Sequence, residues 1–194
     1  MTETEERGIR CPRWVVRLVG LVLLVACTWR FGLSAALPAY LLLFASLLTV
    51  SVVDLEQYRI PNRILLPTTV AAVPLLAFAT LGDAGVGDFL RALAGGAAAF
   101  LALLVLALIS PRGMGMGDVK LSFPLGLYLG FLGWGQVVLG LFLGFLLGAV
   151  VGLVLIATGL RGRKDFLPFG PFLAAGTVVA VLWGEPILRW YSPQ

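Results

Sequence analysis

Apolar residues run along this chain in long unbroken stretches separated by short polar links. They show neither the alternation of a half-buried strand nor the one-sided stripe of a surface helix. Seven stretches stand out, at 14–31, 34–53, 64–81, 89–109, 119–136, 137–160 and 167–184. A helix crosses the apolar core of a bilayer with roughly 20 residues, and about 17 is the lower limit. The pattern therefore predicts an all-α fold, a polytopic helical bundle of about seven membrane spans. The fifth stretch is the weakest, because it carries Pro124 and is fully apolar only to Leu132. A run that short is also compatible with a re-entrant segment. Residues 1–13 are polar and read as an N-terminal tail; residues 14–194 read as a single membrane-embedded domain. Basic residues before the first stretch also fit a secretory signal. Ser34-Ala35-Ala36 and the lipoprotein-like Leu24-Val25-Ala26-Cys27 offer cleavage boxes, but Arg30 follows the latter closely, so the stretch is read as a retained helix.

Composition agrees with this pattern. Of 194 residues, 60% are hydrophobic and 12% charged, against about 25% charged in an ordinary soluble domain. Lysine and arginine then orient the bundle, since cytoplasmic segments carry their excess. With the N-terminus inside, the cytoplasmic segments hold Arg7, Arg10, Arg13, Arg17, Arg59, Arg63, Arg112, Lys120, Arg161, Arg163 and Lys164. The outer segments hold only Arg30, Arg91 and Arg189. A fifth segment that failed to cross would put Arg161, Arg163 and Lys164 outside, so the charges favour seven crossings. Six remains the alternative if an end segment only lies on the surface.

Absences narrow the chemistry. The chain has no histidine, which removes a Ser-His-Asp triad, a Cys-His dyad and the HExxH zinc site. Cys11 and Cys27 stand sixteen positions apart and form no CxxC, so no metal site and no cofactor are expected. Gly113-Met114-Gly115-Met116-Gly117-Asp118 is glycine-rich, but no Gly-Lys-Ser/Thr follows, so it is not a phosphate-binding loop. Nothing suggests a nucleic-acid surface.

Ten residues are acidic. Glu3, Glu5 and Glu6 lie in the tail, while Asp83, Asp88 and Glu185 fall on the outer side. Asp54, Glu56, Asp118 and Asp165 remain on the cytoplasmic side. Asp54 follows the second apolar stretch and Asp118 opens the fifth, so both mark the boundary where apolar helix meets charged loop. An acid there is costly unless it has a partner or a use. Two carboxylates about 3 Å apart cannot both ionise, so one keeps a proton. The ionised member then takes a proton from water while the other polarises a peptide carbonyl. This aspartic-protease chemistry needs no metal, cysteine or histidine. The plainer reading is that both acids mark helix ends. Asp118 suits an N-terminus, whereas the helix dipole disfavours Asp54 at a C-terminus.

Three segments carry a resemblance. Asp54-Leu55-Glu56-Gln57-Tyr58-Arg59-Ile60-Pro61-Asn62 resembles the first aspartate motif of type IV prepilin peptidases, D-x5-[IL]-P-[ND]. Gly115-Met116-Gly117-Asp118-Val119-Lys120-Leu121 is similar to their second, GxGD-[VIL]-K-[LF]. Lys164-Asp165-Phe166-Leu167-Pro168-Phe169-Gly170-Pro171-Phe172 resembles their C-terminal K-x3-[IL]-P-F-G-P-x motif, with one residue fewer between the lysine and Leu167. They follow in matching order, and the resemblance covers roughly residues 35–180. The resemblance implies a membrane aspartic endopeptidase with Asp54 and Asp118 as catalytic residues. Its substrates would be prepilins or pseudopilins, with a basic leader in the cytoplasm and an apolar N-terminal helix in the bilayer. Cleavage would fall at the cytoplasmic face of the inner membrane. Bifunctional members carry an insert with paired CxxC motifs and also methylate the new N-terminus. This chain joins its first two stretches by a few residues, so methyltransferase activity is not expected. The short form is similar to tight-adherence (Flp) and preflagellin peptidases.

Around the acids, Gly115 and Gly117, with Gly113, would give the loop before Asp118 positive φ or close approach to another segment. Lys120 is assigned either to a nearby carboxylate or to lipid phosphate. Pro168-Phe169-Gly170-Pro171 is expected to be irregular backbone, hence a wall of the site. Glu56 or Asp165 would suit a basic leader. Gly140, Gly144, Gly148 and Gly152, like Gly126 and Gly130, recur every four residues and predict close helix packing within the monomer. Two rival functions are a small ion-coupled transporter using Asp54 and Asp118, and a non-catalytic membrane scaffold for pilus assembly.

Overall fold

A computed structural model describes residues 12–82, 84–110, 114–160 and 167–191. Their regular structure is entirely helical. In chain order the helices are α1 (Arg13–Phe31), α2 (Leu37–Gln57), α3 (Asn62–Ala79), α4 (Val86–Ile109), α5 (Met116–Leu132), α6 (Trp134–Ala157) and α7 (Gly170–Tyr191). All but α5 have the length and apolar composition to cross a membrane. The chain is thus a multi-pass membrane protein.

α5 has 17 residues, about 26 Å of helix. It is also the most enclosed element, packed against α3, α4, α6 and α7, with its residues from Leu125 to Phe131 all buried. It packs along α4, with Gly126 and Gly130 against Gly95 and its last turn against Arg91 at the start of α4. α5 stops at Leu132 and not near 136, because Gly133 adopts φ 157, ψ 164, a region open essentially to glycine alone. That single residue turns the chain into α6.

Small residues set the closest contacts. A Cβ on Gly95 of α4 would lie 2.7 Å from the Gly126 carbonyl oxygen and 2.9 Å from the Gly130 Cα of α5. Gly140 abuts Leu129 and Ala180, Gly144 abuts Leu173, and Gly148 meets the Phe169 ring. The glycine repeats therefore pack helices within one chain, as expected.

Ionic contacts gather at the end away from Asp54. Arg91 donates to the Gly130 and Phe131 carbonyls at 2.8 and 2.7 Å and pairs with Asp88 at 2.7 Å. It thereby covers the free C-terminal carbonyls of α5 with a cation. Glu185 on α7 pairs with Arg30 on α1 at 3.2 Å and also with Arg189. Nearby, the Tyr40 hydroxyl donates to the Tyr128 carbonyl at 2.9 Å, and its ring stacks on Phe31.

Candidate active site

α2 does not end at residue 53 but runs on through Asp54-Leu55-Glu56-Gln57, residues that a helix accommodates. Asp54 therefore sits in the last turn, among carbonyls that repel a carboxylate. Another helix offsets this. The Gly170 N–H, at the start of α7, donates to Asp54 Oδ2 at 3.0 Å, so the amide-rich end of α7 faces the acid. A Cβ on Gly170 would stand 2.7 Å from Asp54 Oδ2, so glycine is what allows the approach. The expectation of irregular backbone here holds for Leu167 to Phe169 only. Gly170 and Pro171 already belong to α7, because a proline in a first turn loses no helical hydrogen bond. Pro168 is buried beside them and Pro171 half-buried.

Asp118 is the third residue of α5, after Gly115, Met116 and Gly117. Its Oδ2 lies 3.3 Å from the Cβ position of Gly115, so the carboxylate folds back over the start of its own helix, where the dipole favours an acid. At the start of α4, Asp88 Oδ2 accepts from the Gly85 amide at 2.9 Å, the acidic half of a capping box. Neither Gly115, at φ −76, nor Gly117 takes positive φ. Gly117 serves instead by close approach, since a Cβ there would be 3.2 Å from the Ile60 side chain. Gly113 and Asp165 lie outside the described residues.

The acids are 4% and 5% exposed, respectively. One side chain touches the neighbours of both. Ile60 packs on Gly117, and its Cδ1 lies 3.4 Å from the Cβ position of Gly170. Tyr58 delivers it there. With φ 53, ψ 32, a left-handed conformation costing about 1–2 kcal/mol outside glycine, Tyr58 turns the chain back over the end of α2. Its N–H donates to the Asp54 carbonyl at 2.8 Å. Sequence reasoning gave Ile60 no separate role; its signals were the [IL] position of the first aspartate motif and its place as an isolated apolar residue between Arg59 and Pro61.

Other expected residues stand apart. Lys120 donates to Asn62 Oδ1 at 3.4 Å and turns away from Asp118. Glu56 is exposed at the end of α2. Among the described residues no group of three or more His, Cys, Asp or Glu side chains could hold a metal ion.

The geometry defines a multi-pass helical membrane protein with a buried pair of aspartates on two helices at one end of its bundle. Comparison with known proteins narrows the class. Residues 41–153, which include both aspartates, match the model of the type IV leader peptidase family. The chain belongs to that family, which is one of aspartic peptidases. Three relatives are each named prepilin leader peptidase/N-methyltransferase. That of Bacillus subtilis is 36% identical over 90% of this chain and 67% of its own length. That of Aeromonas hydrophila is 34% identical over 95% and 64%, and that of Pseudomonas aeruginosa 32% over 95% and 62%. The chain thus spans about two thirds or less of these relatives' lengths. No solved structure matches.

Proposed function

We propose that the chain is an aspartic endopeptidase that removes the basic leader from type IV prepilin-like or pseudopilin precursors. It would act at the cytoplasmic face of the inner membrane, with Asp54 and Asp118 as the catalytic pair. The observation that carries this reading is the convergence of the two acids. Both are nearly inaccessible, each lies against a glycine at a helix start, and they stand in the last turn of α2 and the first turn of α5 in a chain of this family.

In the proposed reaction the ionised carboxylate takes a proton from water, and the water oxygen bonds to the scissile carbonyl carbon. The protonated carboxyl stabilises the developing oxyanion by donating to it. As the carbon–nitrogen bond breaks, a proton passes to the leaving amine and the pair is restored. The substrate's apolar helix would remain in the bilayer, bringing the leader junction to the depth of Asp54 and Asp118. Exposed Glu56, together with Asp165, is assigned to the leader's positive charge. Peptidase chemistry alone is proposed, without methyl transfer. The link between α1 and α2 is only residues 32–36, and the two cysteines form no CxxC.

Co-expression with a candidate prepilin tests the reading through gel mobility and N-terminal sequencing of the product. Wild type should cleave, and Asp54→Asn and Asp118→Asn should each abolish cleavage at matched membrane levels. Continued cleavage by both variants would refute the aspartic mechanism.

A further inference from the structure

Lys120 lies two residues beyond Asp118, about 200° around α5. Asp118 therefore belongs to the site with α2 and α7, while Lys120 points toward α3. On that side α3, α4 and α5 border an apolar groove of about 490 Å³. Leu66 and Thr69 of α3, Phe100 of α4 and Phe123 of α5 line it. Lys120 and Asn62 stand together at one end. α3 and α4 touch only sparsely, which leaves the groove between them.

The chemistry of the groove is lopsided. Lys120 is exposed, and among the described residues its one hydrogen bond is a long contact to the neutral Asn62 side chain and it joins no ion pair. No acid among the described residues lines the groove, so none of them balances the ammonium charge. The occupant that complements it has an apolar tail and an anionic head. From Asn62 to Thr69 the apolar wall runs seven residues, about 10 Å of helix. That length accommodates part of an acyl chain, whereas a spanning helix is about 30 Å long and 10–12 Å wide. A basic leader would also meet Lys120 with like charge.

We propose that this groove binds an anionic phospholipid. Its phosphate accepts from Lys120, with the Asn62 amide as a further donor, and an acyl chain lies between Phe100 and Phe123. Lys120 is thus assigned to lipid and not to the aspartates, independently of any peptidase activity.

The test is native mass spectrometry of the full chain in detergent. It is titrated with phosphatidylglycerol and with phosphatidylcholine of identical acyl chains. A basic side chain near an anionic lipid surface corresponds to a preference of about fivefold. Wild type should retain phosphatidylglycerol over phosphatidylcholine by about that factor. Lys120→Gln should abolish the preference, Lys120→Arg should keep it, and Thr69→Phe should reduce retention of both lipids by filling the groove. Thermal unfolding of each variant controls for folding. Equal retention of the two lipids by wild type, or an unchanged preference in Lys120→Gln, would overturn the assignment. So would full retention in Thr69→Phe, or a photo-crosslinker at Thr69 that captures a prepilin's apolar helix in place of lipid.

Discussion

Replacing Gly170 with alanine probes the contact that joins α7 to Asp54. The new Cβ would stand 2.7 Å from Asp54 Oδ2 and 3.4 Å from Ile60 Cδ1, so the carboxylate or the helix must retreat. A retreat of about half an ångström stretches the 3.0 Å hydrogen bond to the limit of useful length. A hydrogen bond to a charged group is worth about 1.5–3 kcal/mol, and each 1.36 kcal/mol is a factor of ten in rate. Leader cleavage by Gly170→Ala should therefore slow by about 10- to 150-fold. The loss should fall on kcat with KM nearly unchanged, since the perturbed group is placed for the reaction and not for holding substrate. The assay is the initial rate of prepilin processing in membranes at matched enzyme levels. Gly152→Ala is the control, because its Cβ would meet only Leu167, at 3.7 Å, and should leave the rate unchanged. A wild-type kcat in Gly170→Ala would refute the claim that this amide positions Asp54.

Three further outcomes follow from the packing. Ile60→Ala removes the side chain that contacts both Gly117 and Gly170; cleavage should fall about tenfold or more, with Ile60→Leu largely restoring it, and an unaffected initial rate in the alanine variant would exclude a spacer role. Arg91→Ala uncovers two α5 carbonyls. It should cost about 1–3 kcal/mol of stability, seen as a lower unfolding temperature in detergent, while cleavage at the distant end persists at low temperature; loss of cleavage without loss of stability would contradict this. Gly126→Ala drives a Cβ against the Gly95 carbonyl and the Ala99 side chain. An overpacking cost of about 1–3 kcal/mol is expected, and an unchanged melting curve would mean that α4 and α5 are not held this close.

The seven helices were legible in the sequence because unbroken apolar runs have few alternatives in a bilayer. Their ends were less so. Gln57 remains helical because nothing before Tyr58 opposes it, and Pro171 is tolerated because a first turn needs no amide there. The placement of Asp54 and Asp118 at a common boundary was readable from the charged loops around them. Pro168 to Pro171 was readable as a wall of the site, but the contacts themselves were not. Gly170 reaches Asp54 from 116 positions away, and Arg91 reaches Gly130 from 39; both are facts of helix packing that local pattern does not carry. Lys120 was left between two partners because its number places it near Asp118, while helical rotation turns it to the other side.

The Asp54–Gly170 bond also has a consequence in time. Chains are synthesised at about 5–20 residues per second, so the 116 positions between the two residues correspond to about 6–23 s. During that interval α2, and later α5, have emerged with both acids, but the amide that holds Asp54 does not yet exist. The pair is completed only when the last helix docks. A nascent chain therefore carries both acids into the membrane before the amide that holds Asp54, and docking of α7 completes that contact.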